Sequence, residues 1–465
     1  MSRLFALAGV VLLASFSPVR GAATCPTDCP PLRVATFTCD ATPPLGGHPL
    51  IWDTPARTVE DPLWIKGLVL EQGKDRYVIA AVDWCGLCNG THRLFRQKIA
   101  EAAGIDISCV AVQTVHQHTA PYTDGDACEL LPREMASRYV DPQFLAALTD
   151  RLAAAVKGSL TKFEVVDRIG TGRAPVERVA SNRRIITADG VFHGRMSSAK
   201  DPALRALPEG TIDPLLRTVT LAKGDKPLVR LHFYATHPQS FYGDARVSAD
   251  VPGFARERLQ KKEGVFQIYF TGCAGDVAMG KYNDGSKEAR AELADRLFAG
   301  MEAAVAATKY RPTGRLLWRS LPVVLPLASD AEKTTAADRA ILADAKAAAV
   351  PRIAAACRQA FFARVQEPLD LTCLRMDDLY LVYLPGECMV EFQRYAQEMK
   401  PAAFVAVAAY GDLGPGYICT EQAFREGGYE PSASHVGPGA ERVLKDAILR
   451  LFDGTACCSD RAEKR

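Results

Sequence analysis

Residues 77–82, Tyr-Val-Ile-Ala-Ala-Val, form an uninterrupted apolar run that ends at Asp83. A short run of this composition, bounded by polar residues, predicts a buried strand. Residues 94–103 have the character of a helix, and residues 108–115 form a second strand-like run. This part of the chain therefore predicts strand, helix and strand in succession, which is typical of α/β proteins.

The same alternation continues along the rest of the chain. Further strands are predicted at 215–221, 229–235, 265–270, 379–384 and 404–409, and helices at 144–156, 289–307, 331–365 with a break at Pro351, and 387–399. Residues 24–63 are rich in Pro, Gly and Thr and are expected to be irregular. No internal sequence repeat or break in composition divides the chain. We therefore predict one large α/β domain over 24–453, with mixed β-sheets flanked by helices, and a polar tail at 454–465.

Composition and charge exclude several classes of protein. Of the 465 residues, 48% are hydrophobic and 24% are charged, which is ordinary globular usage and excludes a disordered chain, a collagen and a coiled coil. The formal net charge is only +2, so the sequence shows no basic footprint for nucleic acid.

The first 23 residues have the layout of a secretory signal peptide. A basic start at Arg3 is followed by a mostly apolar run at 4–16 and by the small residues Gly21, Ala22 and Ala23. The apolar run is shorter than the roughly 20 residues that a membrane-spanning helix needs. We therefore expect cleavage near Ala23 and a secreted or periplasmic protein without a transmembrane anchor.

All fourteen cysteines follow residue 23, and an even number in an exported chain favours disulfides. Cys85 and Cys88 form a CxxC motif, but a zinc ribbon needs a second one and the sequence has none. A structural disulfide and a pair of buried thiols remain the better interpretations of this motif.

Two histidine motifs close predicted strands. His116 and His118 face the same side of an extended segment, because side chains two residues apart do so. They are either the start of a zinc site or polar residues at a strand end. His237 follows the strand at 229–235, which is where α/β proteins usually build their sites, although a lone histidine there is often only hydrogen-bonded.

Other candidate residues follow glycines. Glu387 comes after Pro385 and Gly386, so it either compensates a helix dipole or acts as a carboxylate ligand or base. Tyr417 follows Gly416 and is either a ligand or a packing residue. The turn at 272–275 lacks the residues of a phosphate-binding loop, and its glycines are expected to permit close backbone approach.

Taken in order, these segments resemble the catalytic region of the neutral ceramidases. The motifs that carry the resemblance are Asp40-Ala41-Thr42-Pro43-Pro44, His116-Gln117-His118-Thr119-Ala120-Pro121 (family HTHSGP), Asn182-Arg183, His237-Pro238, Gly275-Asp276-Val277 (family GDVSPN), Pro385-Gly386-Glu387, and Tyr417-Ile418-Cys419-Thr420 with Tyr429-Glu430 beyond it.

The resemblance implies a set of site residues. Zinc ligands would be His116, His237, Glu387 and Tyr417, while His118 would act on the substrate, with Arg183 and Tyr429 around the reacting carbonyl. A catalytic zinc keeps one position for water and lowers the pKa of that water to about 7. The implied activity is hydrolysis of an N-acyl amide, ceramide-like or other, by this activated water.

Two departures from the family pattern bear on the mechanism. Ala278 stands where the family has the serine of GDVSPN, so a serine acyl-enzyme is excluded at this position, whereas a zinc route is not. The family usually carries a further C-terminal β-sandwich, so the resemblance is expected to cover the catalytic domain only. Two alternatives stay open: a hydrolase of a small non-lipid ester or amide, and an inactive metal-bearing binding protein.

Overall fold

The computed structural model describes residues 29–137 and 139–453, and three β-sheets within them share one layout. In each sheet, three antiparallel strands are followed by a helix and by a fourth strand that pairs parallel to the third. We call the three arrangements the first, second and third units. They share a topology although the sequence shows no repeat.

Each unit consists of four strands and a crossover helix. The strands are Leu32–Asp40, Trp64–Gln72, Asp75–Val82 and Val110–Thr114 in the first unit, Arg168–Pro175, Leu215–Lys223, Lys226–Tyr234 and Phe266–Thr271 in the second, and Leu317–Val323, Leu369–Met376, Leu379–Tyr383 and Phe404–Ala408 in the third. The crossover helices are Asn89–Ala103, Asp250–Glu263 and Val390–Glu398. Glu164–Val166 and Lys309–Pro312 extend the first and second sheets at their outer edges.

The second and third strands of every unit are joined by a two-residue turn. The first turn residue has a positive φ in each case: 64° at Gly73, 57° at Gly224 and 55° at Asp377. This is the backbone geometry that tight hairpins of twisted strands need, and glycine or aspartate tolerates it best. The three turns lie at the strand ends opposite to those from which the candidate site residues emerge.

The apolar core lies where the three sheets meet. In the first sheet, successive residues of the strand Asp75–Val82 alternate between two clusters: Ile79 and Ala81 join the core shared with the other two sheets, while Val78 and Ala80 pack on the opposite face. This period of two is the pleat of a strand that is buried on both faces. The Tyr77 ring stacks on Trp318 of the third unit with 5.2 Å between ring centroids.

Helices pack on the outer faces of the sheets and on one another. The longer ones outside the three crossovers are Pro142–Ser159, Lys287–Ala306, Ala331–Ala343, Ala349–Ala363 and Ala440–Asp453. The predicted fold class, mixed β-sheets flanked by helices, is therefore confirmed. The predicted signal peptide at 1–23 and tail at 454–465 lie outside the described residues. Over the described ranges, no helix is long and apolar enough to cross a membrane.

Three local predictions are wrong. Residues 24–63 contain the strand Leu32–Asp40, whose Val34, Thr36 and Thr38 are β-branched and suit a strand. The break in the helix predicted at 331–365 lies at 344–348, and Pro351 sits in the first turn of the second helix, where its missing N–H costs nothing. The helix predicted from Glu387 begins at Val390 instead.

The expectation of disulfides is not met between cysteines of the described residues. Cys85 and Cys88 are both buried thiols, so the second interpretation of the CxxC motif holds. Their side chains face different partners, which explains why they do not pair: the Cys85 sulfur lies 4.0 Å from His116 Nδ1, whereas Cys88 interacts with Tyr122.

Candidate metal centre

The three units bring their strand ends together at one point. His116 follows the fourth strand of the first unit, His237 the third strand of the second unit, and Glu387 the third strand of the third unit. Hydrogen bonds join these ends directly: Thr271 Oγ1 donates to Val115 O at 2.6 Å, and Thr114 N donates to Tyr410 O at 2.8 Å. The site is therefore built from carboxyl ends of strands, as the strand-end argument predicted.

Three ligand atoms form a nearly equilateral triangle. His116 Nε2 lies 3.1 Å from His237 Nε2 and 3.2 Å from Glu387 Oε2, and the His237–Glu387 side is 3.1 Å. Ligands about 2.0–2.1 Å from a tetrahedral zinc ion are separated by roughly 3.3 Å, so the spacing fits such an ion.

A hydrogen bond from Nδ1 fixes the tautomer of each of the two histidines. His116 Nδ1 donates to Cys85 O and His237 Nδ1 donates to Ala274 O, both at 2.6 Å. Each Nε2 then carries a lone pair that points into the triangle. The two Nε2 atoms are 3.1 Å apart and lie beside a carboxylate, so their lone pairs repel each other. A cation between them removes this repulsion, and a backbone carbonyl behind a histidine is the usual arrangement around a bound metal. Burial lowers the pKa of His237 to about 4, which keeps that ring neutral.

Tyr417 lies directly beside the triangle. The short strand Tyr417–Ile418 pairs parallel with Glu387–Cys388, so Tyr417 is opposite Glu387 in register. Its ring is parallel to that of His237, with 6.4 Å between centroids, and its hydroxyl accepts a hydrogen bond from Arg183 Nη2 at 3.1 Å. A ligand role for this hydroxyl remains a prediction.

His118 is near the triangle but does not belong to it. Its Nε2 lies 3.3 Å from His116 Nε2, and it groups with Cys85 and His116 rather than with His237 and Glu387. Burial holds the pKa of His118 well below its ordinary value, and its Nδ1 has no hydrogen-bond partner among the described residues. His118 is therefore a neutral imidazole with one nitrogen unused.

Arg183 is held between two tyrosines. Its guanidinium carbon lies 5.5 Å from the Tyr417 ring centroid and 5.8 Å from that of Tyr429, and Nη2 contacts Glu430 Oε1 at 3.1 Å. The Nε of Arg183 is buried without a hydrogen-bond partner in the described ranges, so one donor is available. Tyr429 is 48% exposed.

A cavity of about 580 Å³ opens onto these residues. His116, Glu387 and Tyr417 lie in its wall together with His118, Arg183 and Tyr429. The structure thus brings six of the seven predicted site residues to one cavity, while His237 completes the triangle behind it. Aromatic and apolar side chains form much of the remaining wall, among them Trp52, Tyr122, Phe241, Tyr242 and Ala354.

Two residues of this site had no predicted role. Tyr410 is buried and stacks on His116 at 4.3 Å, and its hydroxyl lies 3.3 Å from His237 Nδ1. Its position two residues after the strand Phe404–Ala408 is a signal that could have identified it. Glu430 is 1% exposed and pairs with both Arg183 and Arg184, a contact that no local pattern indicates.

Ala278 lies behind the site and not in the cavity wall. It is fully buried in a two-residue pairing with Ser181, and its neighbour Val277 accepts the backbone hydrogen bond of His237 at 2.9 Å. A hydroxyl at this position would therefore lie in buried structure next to Ser181 and outside the cavity wall.

Comparison with known proteins identifies relatives by structure alone. No protein-family model and no curated protein sequence matches the chain. A solved structure of neutral ceramidase from Pseudomonas aeruginosa superposes with a TM-score of 0.68 at 15% identity, covering 91% of this chain and 74% of that one. A structure described as ceramidase complexed with C2 gives 0.67 at 14% identity, covering 90% of this chain and 74% of that one. The chain thus has a divergent ceramidase-like fold, which confirms the resemblance at the level of fold.

Proposed function

We propose that this protein is an exported, zinc-dependent hydrolase that cleaves an N-acyl amide bond. The observation that carries the proposal is the triangle of His116, His237 and Glu387, whose histidine tautomers are already set for a metal, at the base of a cavity. The ceramidase-like fold supports the hydrolase class.

The residues present fit zinc. Two neutral imidazoles and a carboxylate suit this ion, and the hydroxyl of Tyr417 is proposed as a fourth ligand. Zinc held there would supply Lewis acidity, which polarises a carbonyl oxygen and lowers the pKa of a nearby water.

The remaining residues are proposed to position the amide and to move a proton. The free Nε–H of Arg183 and the hydroxyl of Tyr429 would donate to the carbonyl oxygen as negative charge develops on it. His118 would accept a proton from the attacking water and deliver it to the amine nitrogen as the C–N bond breaks. Water is thereby added across the bond, giving a carboxylic acid and an amine.

One observation favours catalysis over a purely structural or binding role. His118, Arg183 and Tyr429 line the same cavity as the proposed ligands. A zinc site that only stabilises the fold needs no open cavity beside it and no unused proton donors or acceptors in the wall of that cavity.

The test measures zinc content and amide hydrolysis in matched variants. His237→Ala should lose zinc and turnover, whereas His118→Ala should keep zinc and lose turnover. His193→Ala, a half-buried histidine of the strand Phe192–Gly194 outside the cavity, should keep both. Zinc retained in His237→Ala would overturn the ligand assignment.

Mass spectrometry of the mature protein tests export, which requires loss of the residues before the proposed cleavage near Ala23.

A further inference from the structure

Few charged side chains line the cavity, and each has a partner. In the wall formed by the described residues these are Glu387, Arg183 and Arg358. Glu387 belongs to the proposed metal triangle and Arg183 is paired with Glu430. His435, which also lines the cavity, is neutral because burial lowers its pKa to about 4.

Arg358 is neutralised from outside the cavity. It projects from the helix Ala349–Ala363, and its Nε and Nη2 donate to the two carboxylate oxygens of Asp338 at 2.8 and 2.6 Å. Asp338 lies on the preceding helix, is 1% exposed, and accepts a further hydrogen bond from Gln359 at 2.8 Å. The two hydrogen bonds make a bidentate ion pair. Asp338 itself does not line the cavity.

The neighbours of Arg358 in the wall are uncharged. Ala354 lies one helical turn before it, and Cys357 contacts the hydroxyl of Tyr139 at 3.2 Å. Trp52 and Tyr122 pack against each other at 5.6 Å close by. A ligand in this part of the cavity therefore meets apolar surface and a cation whose charge is already balanced.

We infer that the Arg358–Asp338 pair is a specificity determinant, which makes the cavity select an uncharged N-acyl amide over one that carries a carboxylate. The inference rests on the proposed function. A carboxylate that leaves water must find a counter-ion, and the two cations of the described wall are already paired, Arg183 with Glu430 and Arg358 with Asp338. Selectivity of this kind comes from an unfavourable contact with the wrong ligand and not only from contacts with the right one.

The experiment compares two amides that differ in charge but hardly in size: N-octanoylethanolamine and N-octanoylglycine. The zinc-loaded wild-type protein should show a kcat/KM that is higher for the neutral compound by roughly tenfold or more. Asp338→Asn frees Arg358 and should move this ratio toward the anionic compound by about tenfold. Arg358→Met removes the cation and should retain the preference for the neutral compound.

A second variant tests the same idea without disturbing the ion pair. Ala354→Lys places an unpaired cation on the same wall and should also move the ratio toward the anionic compound, so the test remains decisive if Asp338→Asn does not fold. An unchanged ratio in a folded Asp338→Asn or Ala354→Lys protein would overturn the inference. If neither compound is hydrolysed, the proposed function fails; the ratio of the two dissociation constants, measured by calorimetric titration, then tests the inference on its own.

Discussion

Zinc should stabilise the folded protein by an amount that can be worked out in advance. A ligand that binds only the folded state, at a free concentration about a thousand times its Kd, adds about 4.1 kcal/mol to the free energy of unfolding. Unfolding entropy near 60 °C is about 2.1 cal/mol/K per residue, which gives about 0.9 kcal/mol/K for a domain of about 420 residues. The melting temperature should therefore rise by roughly 5 °C when zinc is added to chelator-treated protein.

Differential scanning calorimetry with and without a chelator measures this shift. In His237→Ala the triangle loses one of its three ligand atoms, so zinc should move the melting temperature by less than about 1 °C. The same zinc addition to His193→Ala should reproduce the wild-type shift. Equal shifts in His237→Ala and the wild type, or none in the wild type, would refute the reasoning that the converging lone pairs form a metal site.

Three further predictions follow from buried groups. Glu430→Gln leaves Arg183 with an uncompensated buried charge and should lower the free energy of unfolding by about 3–5 kcal/mol in urea titration. Ala278→Ser puts a hydroxyl beside Ser181 and away from the cavity, so amide hydrolysis should not increase, while stability should fall by about 1–3 kcal/mol. Burial raises the pKa of Asp61 to about 6, so between about pH 4 and 6 the folded state keeps a proton on Asp61 that the unfolded state has lost. The contribution of this carboxyl to stability is therefore present at low pH and declines as the pH rises toward 6. Asp61→Asn should flatten the profile of stability against pH in that window.

Each of these predictions has a control or a contradicting result. Glu426→Gln removes a more exposed partner of Arg184 and should cost less than about 1 kcal/mol, so an equal loss in both variants would argue against a special role for Glu430. Faster hydrolysis by Ala278→Ser would place that position in the chemistry. A stability profile of Asp61→Asn parallel to that of the wild type between about pH 4 and 6 would contradict the raised pKa.

The sequence predicts the parts of the site that follow the ends of apolar runs. His116 and His237 come directly after such runs, and their positions at strand ends follow from that alone. Assigning them to a metal required the resemblance, because periodicity does not distinguish a ligand from a hydrogen-bonded histidine. Glu387 was expected in a helix because Pro385 and Gly386 end a strand, yet a two-residue pairing with Tyr417 holds it in an extended segment.

Contacts between distant parts of the chain could not be predicted in this way. Glu430 meets Arg183 across 247 positions of sequence, and Asp338 meets Arg358 only because two helices fold back on each other. The threefold topology is equally invisible in the sequence, because backbone pairing and buried volume define each unit and many different side chains satisfy both.

The three hairpin turns at residues 73–74, 224–225 and 377–378 lie at the strand ends opposite to the metal centre. The strands that follow them run for five to nine residues before the chain reaches the metal centre, a distance of roughly 15–30 Å. Lys74, Asp225 and Asp378 are exposed in these turns, so a label attached to any of the three would lie far from the cavity, and this end of the molecule suits immobilisation or labelling of the protein.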